Sequence, residues 1–291
     1  MPRRGFRWRS ISRVPVVNLD GQLRVAESRL GPFAGHVRHV GEVRSTNDTI
    51  ADLADRGAPH GTVVVADAQT AGRGRNGHRW FSPRGSGLYV SLLLRLSSPP
   101  PPVVTLATGV AVAESLTTVA GLEAVLEWPN DVVTTVDGGA RKVAGILAEA
   151  TTEGDRARVI VGIGINLRDT AWPPELLPVA ASVEGVTGRP VDAATLLVEL
   201  LAAMAGRYAE VESGATTALL ARWETLAPSS RGAPVEWMSG PTSHRGVSEG
   251  IDPDGALRVR VGSRLERLTG GAVRQVRSPP GALRGDYAAR G

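Results

Sequence analysis

Residues 125–165, VLEWPNDVVTTVDGGARKVAGILAEATTEGDRARVIVGIGI, decide the fold class. They contain four short apolar or β-branched runs, at 125–128, 132–136, 143–148 and 159–165. Runs of this composition and length are typical of β-strands. The connections between them are too short for a helical crossover, so the pattern favours antiparallel hairpins over parallel βαβ units.

The chain on either side of this stretch adds helices and further strands. Ser45-Thr46-Asn47-Asp48 is a typical helix N-terminus, because a Ser or Thr side chain there can cap free backbone N–H groups. Apolar periodicity and turn residues predict the further elements at 45–57, 62–66, 88–96, 103–120, 191–226, 234–238, 246–251, 257–261 and 264–268.

The order of these elements predicts an α+β fold with two domains. A mixed β-sheet with helices on one face takes residues 39–227, and a small all-β module takes residues 228–277. We expect a poorly ordered N-terminal extension at 1–38, where Gly and Pro interrupt a weak periodicity. A disordered tail is expected at 278–291.

Composition excludes several classes of protein. The 291 residues include no cysteine, which rules out disulfides and thiol chemistry and fits a reducing cytoplasm. No apolar run reaches the ~18 residues of a membrane span, and the basic start at 1–13 lacks the apolar segment of a secretory signal. The net charge of +4 leaves two interpretations of the scattered arginines: a solvated surface, or a site for a polyanion such as a nucleotide.

Lys142 is the only lysine among the 33 lysine and arginine side chains. A GC-rich genome explains why lysine is rare but not why one position keeps it, although chance alone is a sufficient alternative. Lysine carries a compact ammonium on a flexible stem, whereas arginine is a rigid planar fork. Lys142 is therefore a candidate for a group that follows an oxygen as its charge develops.

A segment rich in glycine and arginine, QTAGRGRNGHRWF at 69–81, lies between two predicted strands. Glycines let backbone N–H groups approach a ligand, and arginine binds phosphate or carboxylate with two hydrogen bonds. Trp80 adds a flat face for an adenine ring. The segment predicts a mobile anion-binding loop, with an RNA-binding arm as the alternative. It is not a P-loop, because no Lys-Ser/Thr follows at the required spacing.

Two further segments have a functional and a structural interpretation that the residues alone leave open. WPND at 128–131 either caps a turn or places Asn130 against a base or a metal-bound phosphate. VIVGIGINL at 159–167 carries Gly162 and Gly164 within a strand, which indicates either a bulge or the close approach of a ligand or of backbone.

These segments, in this order and spacing, resemble the biotin–protein ligases from about residue 44 to residue 277. The resemblance implies a catalytic mixed sheet, shared with class II aminoacyl-tRNA synthetases and lipoate ligases, and a C-terminal SH3-like β-barrel. It implies an enzyme that makes biotinyl-5′-adenylate from biotin and ATP with Mg²⁺. The enzyme would then biotinylate one lysine of a biotin carboxyl carrier protein.

The residues before Val43 are too few and too rich in Pro and Gly for the winged DNA-binding domain that some members carry. The chain therefore resembles the monofunctional group, and we expect neither DNA nor a membrane as a partner. A cytoplasmic location is expected, and a homodimer is left open.

The resemblance also assigns roles to residues, matched by position. Lys142 and Arg75 would be the catalytic residues, and no side chain is assigned to a metal ion. Biotin would be held by Ser45, Thr46, Asn47, Gln69, Gly72, Arg73, Gly74, Arg75, Lys142 and Gly145. ATP would be held by Arg75, Asn76, Trp80, Asn130, Lys142 and Asn166.

Three residues depart from the family pattern. Glu127 stands where a lysine usually precedes Trp-Pro-Asn-Asp, and a carboxylate there does not bind ATP phosphates directly. Asn76 and His78 replace frequent arginines, so we expect a less positive loop and weaker contact with ATP. Two alternatives to the ligase remain: a lipoate-type ligase, whose Arg-Arg-x-Ser-Gly-Gly-Gly motif is absent, and a non-catalytic nucleotide- or RNA-binding module.

Overall fold

The computed structural model describes residues 19–97, 102–153, 156–169, 172–271 and 273–275. The helices in these ranges are α1 (Leu19–Val25), α2 (Thr46–Asp55), α3 (Val103–Ala120), α4 (Val183–Thr187), α5 (Ala193–Glu212) and α6 (Thr216–Leu226). The strands are β1 (Val37–Val43), β2 (Val63–Gln69), β3 (Gly87–Leu96), β4 (Val125–Glu127), β5 (Asp131–Val136), β6 (Gly139–Glu153), β7 (Arg156–Asn166), β8 (Arg231–Ser239), β9 (Thr242–Ile251), β10 (Leu257–Val261), β11 (Arg264–Leu268) and β12 (Val273–Gln275).

The larger domain is built on a seven-stranded mixed sheet in the order β1-β2-β3-β7-β6-β5-β4. β1 and β2 are parallel, and every other neighbouring pair is antiparallel. β4 to β7 follow one another as hairpins, which confirms the prediction from the short connections. The parallel pair needs a crossover, and α2 supplies it.

Helices cover both faces of this sheet, so the prediction of helices on one face is wrong. α3 and α5 pack on one face over the main core, which includes Leu92 and Val161. α2 packs on the opposite face over a smaller core that includes Leu93 and Ile160. Successive strand residues point to opposite faces, so the same strands serve both cores.

The central helix α3 is long and apolar enough, by length and composition, to cross a membrane. Yet 72% of its 18 residues are buried inside the protein, which is typical of a core helix. α3 ends at Gly121, whose φ of 64° favours glycine. α5 packs against α3 and begins where the side chain of Asp192 accepts a hydrogen bond from the backbone N–H of Thr195.

Residues 19–38 are folded, which corrects the prediction of a poorly ordered extension over 1–38. α1 and the two 3-10 turns that follow it bury Leu30 and Phe33. Arg29 donates two hydrogen bonds to Glu199 of α5, one of them 2.8 Å long. No element here exceeds seven residues, too short for a helical periodicity to be visible in the sequence. Residues 1–18 lie outside the described part of the chain.

β8 to β12 form a separate five-stranded antiparallel sheet in the order β11-β10-β9-β8-β12. It lies where the small all-β module was predicted, although β12 was not foreseen. Nε1 of Trp128 donates to the carbonyl of Gly255 in this module at 3.1 Å. A Cβ added to Gly255 would lie 2.7 Å from the backbone nitrogen of Val103, so only glycine lets this turn pack on the start of α3. The predicted tail at 278–291 lies outside the described residues.

Candidate active site

A cavity of about 550 Å³ opens on the α2 face of the large sheet. Among the predicted site residues, those that line it are Ser45, Thr46, Asn47, Gln69, Arg73, Gly74, Arg75, Asn76, Trp80, Asn130, Lys142, Gly145 and Asn166. Gly72 is not part of this lining. A Cβ on Gly72 would lie 2.5 Å from the carbonyl oxygen of Trp80, so this glycine serves the packing of the loop on itself.

Two adjacent strands form a cavity floor that is nearly free of side chains. Gly164 on β7 pairs with Gly145 on β6. A Cβ on Gly164 would lie 2.4 Å from the indole of Trp80, and one on Gly162 would lie 2.3 Å from Oδ1 of Asn47. The register of β7 is regular, so these glycines permit close approach and do not mark a bulge.

The uncharged end of the cavity lies at the start of α2. Ser45 occupies the N-cap position, but its side chain makes no capping hydrogen bond. Instead, Oε1 of Gln69 accepts from the backbone N–H of Thr46 at 2.8 Å and from its hydroxyl at 3.1 Å. Nε2 of Gln69 donates to the hydroxyl of Ser82 at 2.9 Å. A side chain from the end of β2 therefore replaces the predicted serine cap.

Two further residues, Ser91 and Glu149, adjoin this end, and neither was predicted from the sequence. Oγ of Ser91, which is buried, lies 2.7 Å from Oγ1 of Thr46 and 2.6 Å from Oδ1 of Asn47. Nδ2 of Asn47 donates to Oε2 of Glu149 at 2.7 Å. A lone serine within the apolar run of β3 was a usable signal for Ser91. Glu149 is placed only by the register of β6, which the sequence does not reveal.

The glycine- and arginine-rich loop at 70–81 lies against the cavity in a closed arrangement. Nη2 of Arg73 lies 2.7 Å from Oε2 of Glu149 and 3.0 Å from Oδ1 of Asp48. Within the loop, the backbone N–H of Gly74 donates to the carbonyl of His78 at 2.7 Å. The loop is therefore held both by its own turn and by two carboxylates of the sheet domain.

Arg75 extends from the loop to the opposite wall of the cavity. Its Nη1 donates to Oδ1 of Asn130 at 3.1 Å. Burial lowers the pKa of the Arg75 guanidinium, and the nearby charge of Asp131 opposes that shift. A Cβ on Gly270 would lie 3.6 Å from Nη2 of Arg75, and Val273 also lines the cavity. Both domains therefore contribute to the site.

Lys142 projects into the cavity, with Nζ 2.6 Å from Oδ1 of Asp131 and 5.4 Å from the ring centroid of Trp80. The backbone N–H of Lys142 donates to Val179 at 2.8 Å, and its carbonyl accepts from Ala181 at 3.0 Å. The segment at 172–180 thus forms a wall of the cavity that was not predicted. These contacts hold the single lysine of the chain at a defined point of the site.

The cavity lining combines uncharged polar side chains at the start of α2 with a set of charged side chains. Its charged lining side chains are Arg73, Arg75, Arg79, Lys142, Glu127 and Asp131. Among the described residues, no three His, Cys, Asp or Glu side chains are grouped so as to hold a metal ion by themselves. The arrangement suits a polyanion that lies next to a ligand rich in hydrogen-bonding groups.

Comparison with known proteins identifies the family. Residues 40–166 match the biotin/lipoate A/B protein ligase family. The chain is 32% identical over 275 residues to the bifunctional ligase/repressor BirA of Bacillus spizizenii, which covers 91% of this chain and 81% of that protein. It is 33% identical to the biotin–[acetyl-CoA-carboxylase] ligase of Mycobacterium tuberculosis, over 82% of this chain and 90% of that protein. The chain belongs to the biotin protein ligase family.

A solved structure of the biotin protein ligase from Aquifex aeolicus, in complex with biotin and ATP, matches the fold with a TM-score of 0.72 at 27% identity. The match covers 83% of this chain and all of that one. The family resemblance and the α+β fold with an SH3-like C-terminal module are thereby confirmed, and the chain is a ligase. The roles assigned to single residues stay predictions.

Proposed function

We propose that this biotin protein ligase activates biotin with ATP to biotinyl-5′-AMP and transfers the biotinyl group to a lysine of a biotin carboxyl carrier protein. The observation that carries the proposal is the position of Lys142. Its ammonium projects into a single cavity that joins an uncharged hydrogen-bonding end to a cationic part. The Mycobacterium tuberculosis relative is named for biotin, and the Aquifex aeolicus ligase was solved with biotin and ATP, which supports these ligands over lipoate.

The uncharged end fits the ureido ring of biotin, which carries two N–H donors and one carbonyl acceptor. Asn47, Gln69, Ser45 and Thr46 offer both donors and acceptors there. Gly145 on β6 leaves room for the indole of Trp80 and the stem of Lys142, because an added Cβ would lie 2.8 Å and 3.0 Å from them. A site with fixed polar partners favours a ligand that satisfies them, because an unpaired buried polar group costs about 1–3 kcal/mol.

The cationic part fits ATP. Trp80 presents an aromatic ring in the cavity, and Asn76, Asn130 and Asn166 line the same cavity. Nδ2 of Asn166 donates to the carbonyl of Lys142 at 3.3 Å, so this amide also supports the strand that carries the lysine. A flat ring beside several amides and cations is suited to a base linked to phosphates.

Mg²⁺ is expected to accompany the ATP phosphates. This ion commonly binds through one or two carboxylates together with substrate phosphates, not through a closed protein cage. Asp131 and Glu127 line the cavity near the cations, so the residues present fit the ion and would hold it. It would neutralise phosphate charge. Glu127 would then act through the ion, although it does not bind phosphate directly.

In the first step a carboxylate oxygen of biotin attacks the α-phosphorus, and the bond from phosphorus to the pyrophosphate oxygen breaks. Both reactants are anions, so cations are required to bring them together. Charge grows on the α-phosphate oxygens, and Lys142 and Arg75 stabilise it. In comparable sites one such contact contributes about 2.7–4 kcal/mol. No proton transfer is needed, so positioning supplies much of the rate.

In the second step the neutral amine of the carrier lysine attacks the biotinyl carbonyl. The carbon–oxygen bond to AMP breaks, an amide forms and the attacking nitrogen gives one proton to solvent. Until then the mixed anhydride must be kept from water, which is the role we assign to the loop at 70–81. A cytoplasmic location and the absence of a DNA partner stay predictions, and a homodimer is left open.

The experiment that tests the proposal is ATP–pyrophosphate exchange with biotin, with lipoate or with no acid, followed by transfer to a purified carrier domain. We expect exchange with biotin alone, and biotin on the carrier lysine. Exchange that depends on lipoate would assign the other substrate. A lack of exchange with either acid would reject the ligase mechanism for this chain.

A further inference from the structure

Glu149 joins two groups that belong to different parts of the site. Its Oε2 accepts a hydrogen bond from Nδ2 of Asn47 at 2.7 Å and a second from Nη2 of Arg73 at 2.7 Å. Asn47 belongs to α2 and faces the cavity floor, whereas Arg73 belongs to the loop that lies against the cavity. One carboxylate oxygen therefore connects the uncharged end of the site to the loop.

The connection is part of a longer chain of polar contacts. It continues from Asn47 through Ser91 and Thr46 to Gln69, with contacts of 2.6, 2.7 and 3.1 Å. Gln69 then donates to Ser82, which in turn donates to the carbonyl of Trp80 at 3.0 Å. The chain of contacts thus starts at Arg73 in the loop, passes the start of α2 and the strands β3 and β2, and returns to the end of the same loop.

Glu149 also decides which way the Asn47 amide points. A serine hydroxyl can donate or accept, so Ser91 alone would tolerate either orientation of that amide. A carboxylate only accepts, so Glu149 requires Nδ2 on its side and leaves Oδ1 towards Ser91. The orientation of the Asn47 amide, and hence which of its two polar atoms points in each direction, therefore depends on Glu149.

We propose that Glu149 is a positioning residue that couples recognition of biotin by Asn47 to closure of the loop through Arg73. The inference rests on the proposed function and names a residue that it did not include. Glu149 is not part of the cavity lining and acts through two other side chains. Arg73 and Glu149 remain about 40% exposed, at 42% and 38%, so water competes for their ion pair and the loop can open for substrate exchange.

Two substitutions separate the two effects. Glu149→Gln keeps an oxygen that can accept from Asn47 but removes one of the two carboxylate charges that hold Arg73, the other being that of Asp48. Glu149→Leu removes both contacts. Because charged hydrogen bonds are roughly twice as strong as neutral ones, we expect Glu149→Gln to release biotinyl-5′-AMP about tenfold faster, with the Kd for biotin changed by less than about threefold. The Glu149→Leu variant should release biotinyl-5′-AMP as fast as Glu149→Gln does, and it should also bind biotin about tenfold more weakly than the unaltered chain.

Two measurements report on the loop. The first is release of biotinyl-5′-AMP formed on the enzyme. The second is trypsin cleavage at Arg75 and Arg79, which should be faster in both variants. In the Arg73→Gln background, Glu149→Gln should add nothing to the release rate, because the contact is already lost. The matched control is Glu42→Gln, at an exposed carboxylate of β1 outside the cavity lining.

The results of these experiments distinguish failure of the proposed function from failure of the inference about Glu149. If the unaltered chain shows no biotin-dependent pyrophosphate exchange, the proposed function fails and this inference with it. If that exchange is present but both Glu149 variants retain biotinyl-5′-AMP and resist trypsin like the unaltered chain, only the inference is overturned. Equal effects of Glu42→Gln and Glu149→Gln would also overturn it, because the effect would then be one of general charge.

Discussion

Nζ of Lys142 on β6 lies 2.6 Å from Oδ1 of Asp131 on the neighbouring strand β5. The contact is an ion pair without the geometry of a directed hydrogen bond at that oxygen. Both side chains are about one-third exposed, at 30% and 35%, although Oδ1 of Asp131 is itself buried. The pair keeps the ammonium at the site, and movement of the ammonium to a phosphate oxygen would leave that buried oxygen for the Mg²⁺ proposed above.

Replacement of Lys142 by arginine keeps the charge but changes its shape. The planar fork cannot follow two oxygens from this position, so we expect pyrophosphate exchange to fall about 100-fold or more. Arg141→Lys makes the opposite exchange at the next residue, outside the cavity lining, and should keep exchange within about twofold. Near-normal exchange by Lys142→Arg would contradict the role of the lysine.

Two glycines of β7 should separate the binding of the two substrates. Gly164→Ala places a methyl group against the indole of Trp80, and we expect the KM for ATP to rise about tenfold. Gly162→Ala displaces Asn47 and should weaken biotin binding by a similar factor. The control is Gly206→Ala in α5, where the added methyl meets nothing within 4 Å and should stabilise the fold by about 0.5–1 kcal/mol. An equal loss of affinity for ATP and for biotin in both variants would disprove this separation.

Arg75→Gly removes the contact between the loop and Asn130. We expect weaker biotin binding and faster escape of biotinyl-5′-AMP, because the loop then lacks its tie to the far wall. Biotinylation of an unrelated bystander protein, measured without a carrier, should increase severalfold. Tight retention of the intermediate by this variant would count against a closing role for Arg75.

Trp128→Phe tests the contact between the two domains. The substitution keeps a buried ring but leaves the carbonyl of Gly255 without its indole donor. An unpaired buried acceptor costs about 1–3 kcal/mol, and we expect the free energy of unfolding in urea to fall by that amount. A stability equal to that of the unaltered chain would show that this hydrogen bond does not secure the interface.

The lowered pKa of His60 predicts that the folded protein loses stability in mild acid. Burial is the main cause that lowers its pKa; Arg95 and His36 lower it further, and Glu212 opposes them. Nδ1 of His60 accepts from the backbone N–H of Arg95 at 3.1 Å, a contact that protonation destroys. The unfolded chain takes up the proton near its ordinary pKa of about 6.5, so the contribution is complete above that pH and is lost as the pH falls towards the lower folded pKa. The free energy of unfolding in urea should decrease for the unaltered chain as the pH falls through this range, and the His60→Gln variant should lack this decrease. The same pH dependence in both proteins would refute the assignment.

Local patterns predicted most of the fold because they report secondary structure directly. The hairpins at 125–166 followed from strands with short connections, and α3 matched its predicted bounds of 103–120. The prediction of a poorly ordered start was wrong at residues 19–38 for the same reason, because α1 and its 3-10 turns are too short to show periodicity. Placement of α2 on the opposite face depends on tertiary packing, which no local window contains.

The site was predicted only as far as motifs extend. Lys142, Arg75 and the glycines of β7 lie within distinctive local sequences, and the structure brings them together. Glu149 and the wall at 172–180 have no such signature, because strand register and backbone pairing with Lys142 place them. Gly72 was grouped with the binding residues because it shares a motif with them, although its constraint is internal to the loop.

The lone lysine has a consequence for the enzyme's own integrity. A mixed anhydride that escapes into solution acylates any accessible primary amine, and guanidinium groups, which stay protonated, are poor nucleophiles. Apart from its N-terminus, this chain offers one amine in total, and that amine is engaged with Asp131 inside the cavity. We therefore expect the intermediate that we propose to leave the enzyme itself almost unmodified.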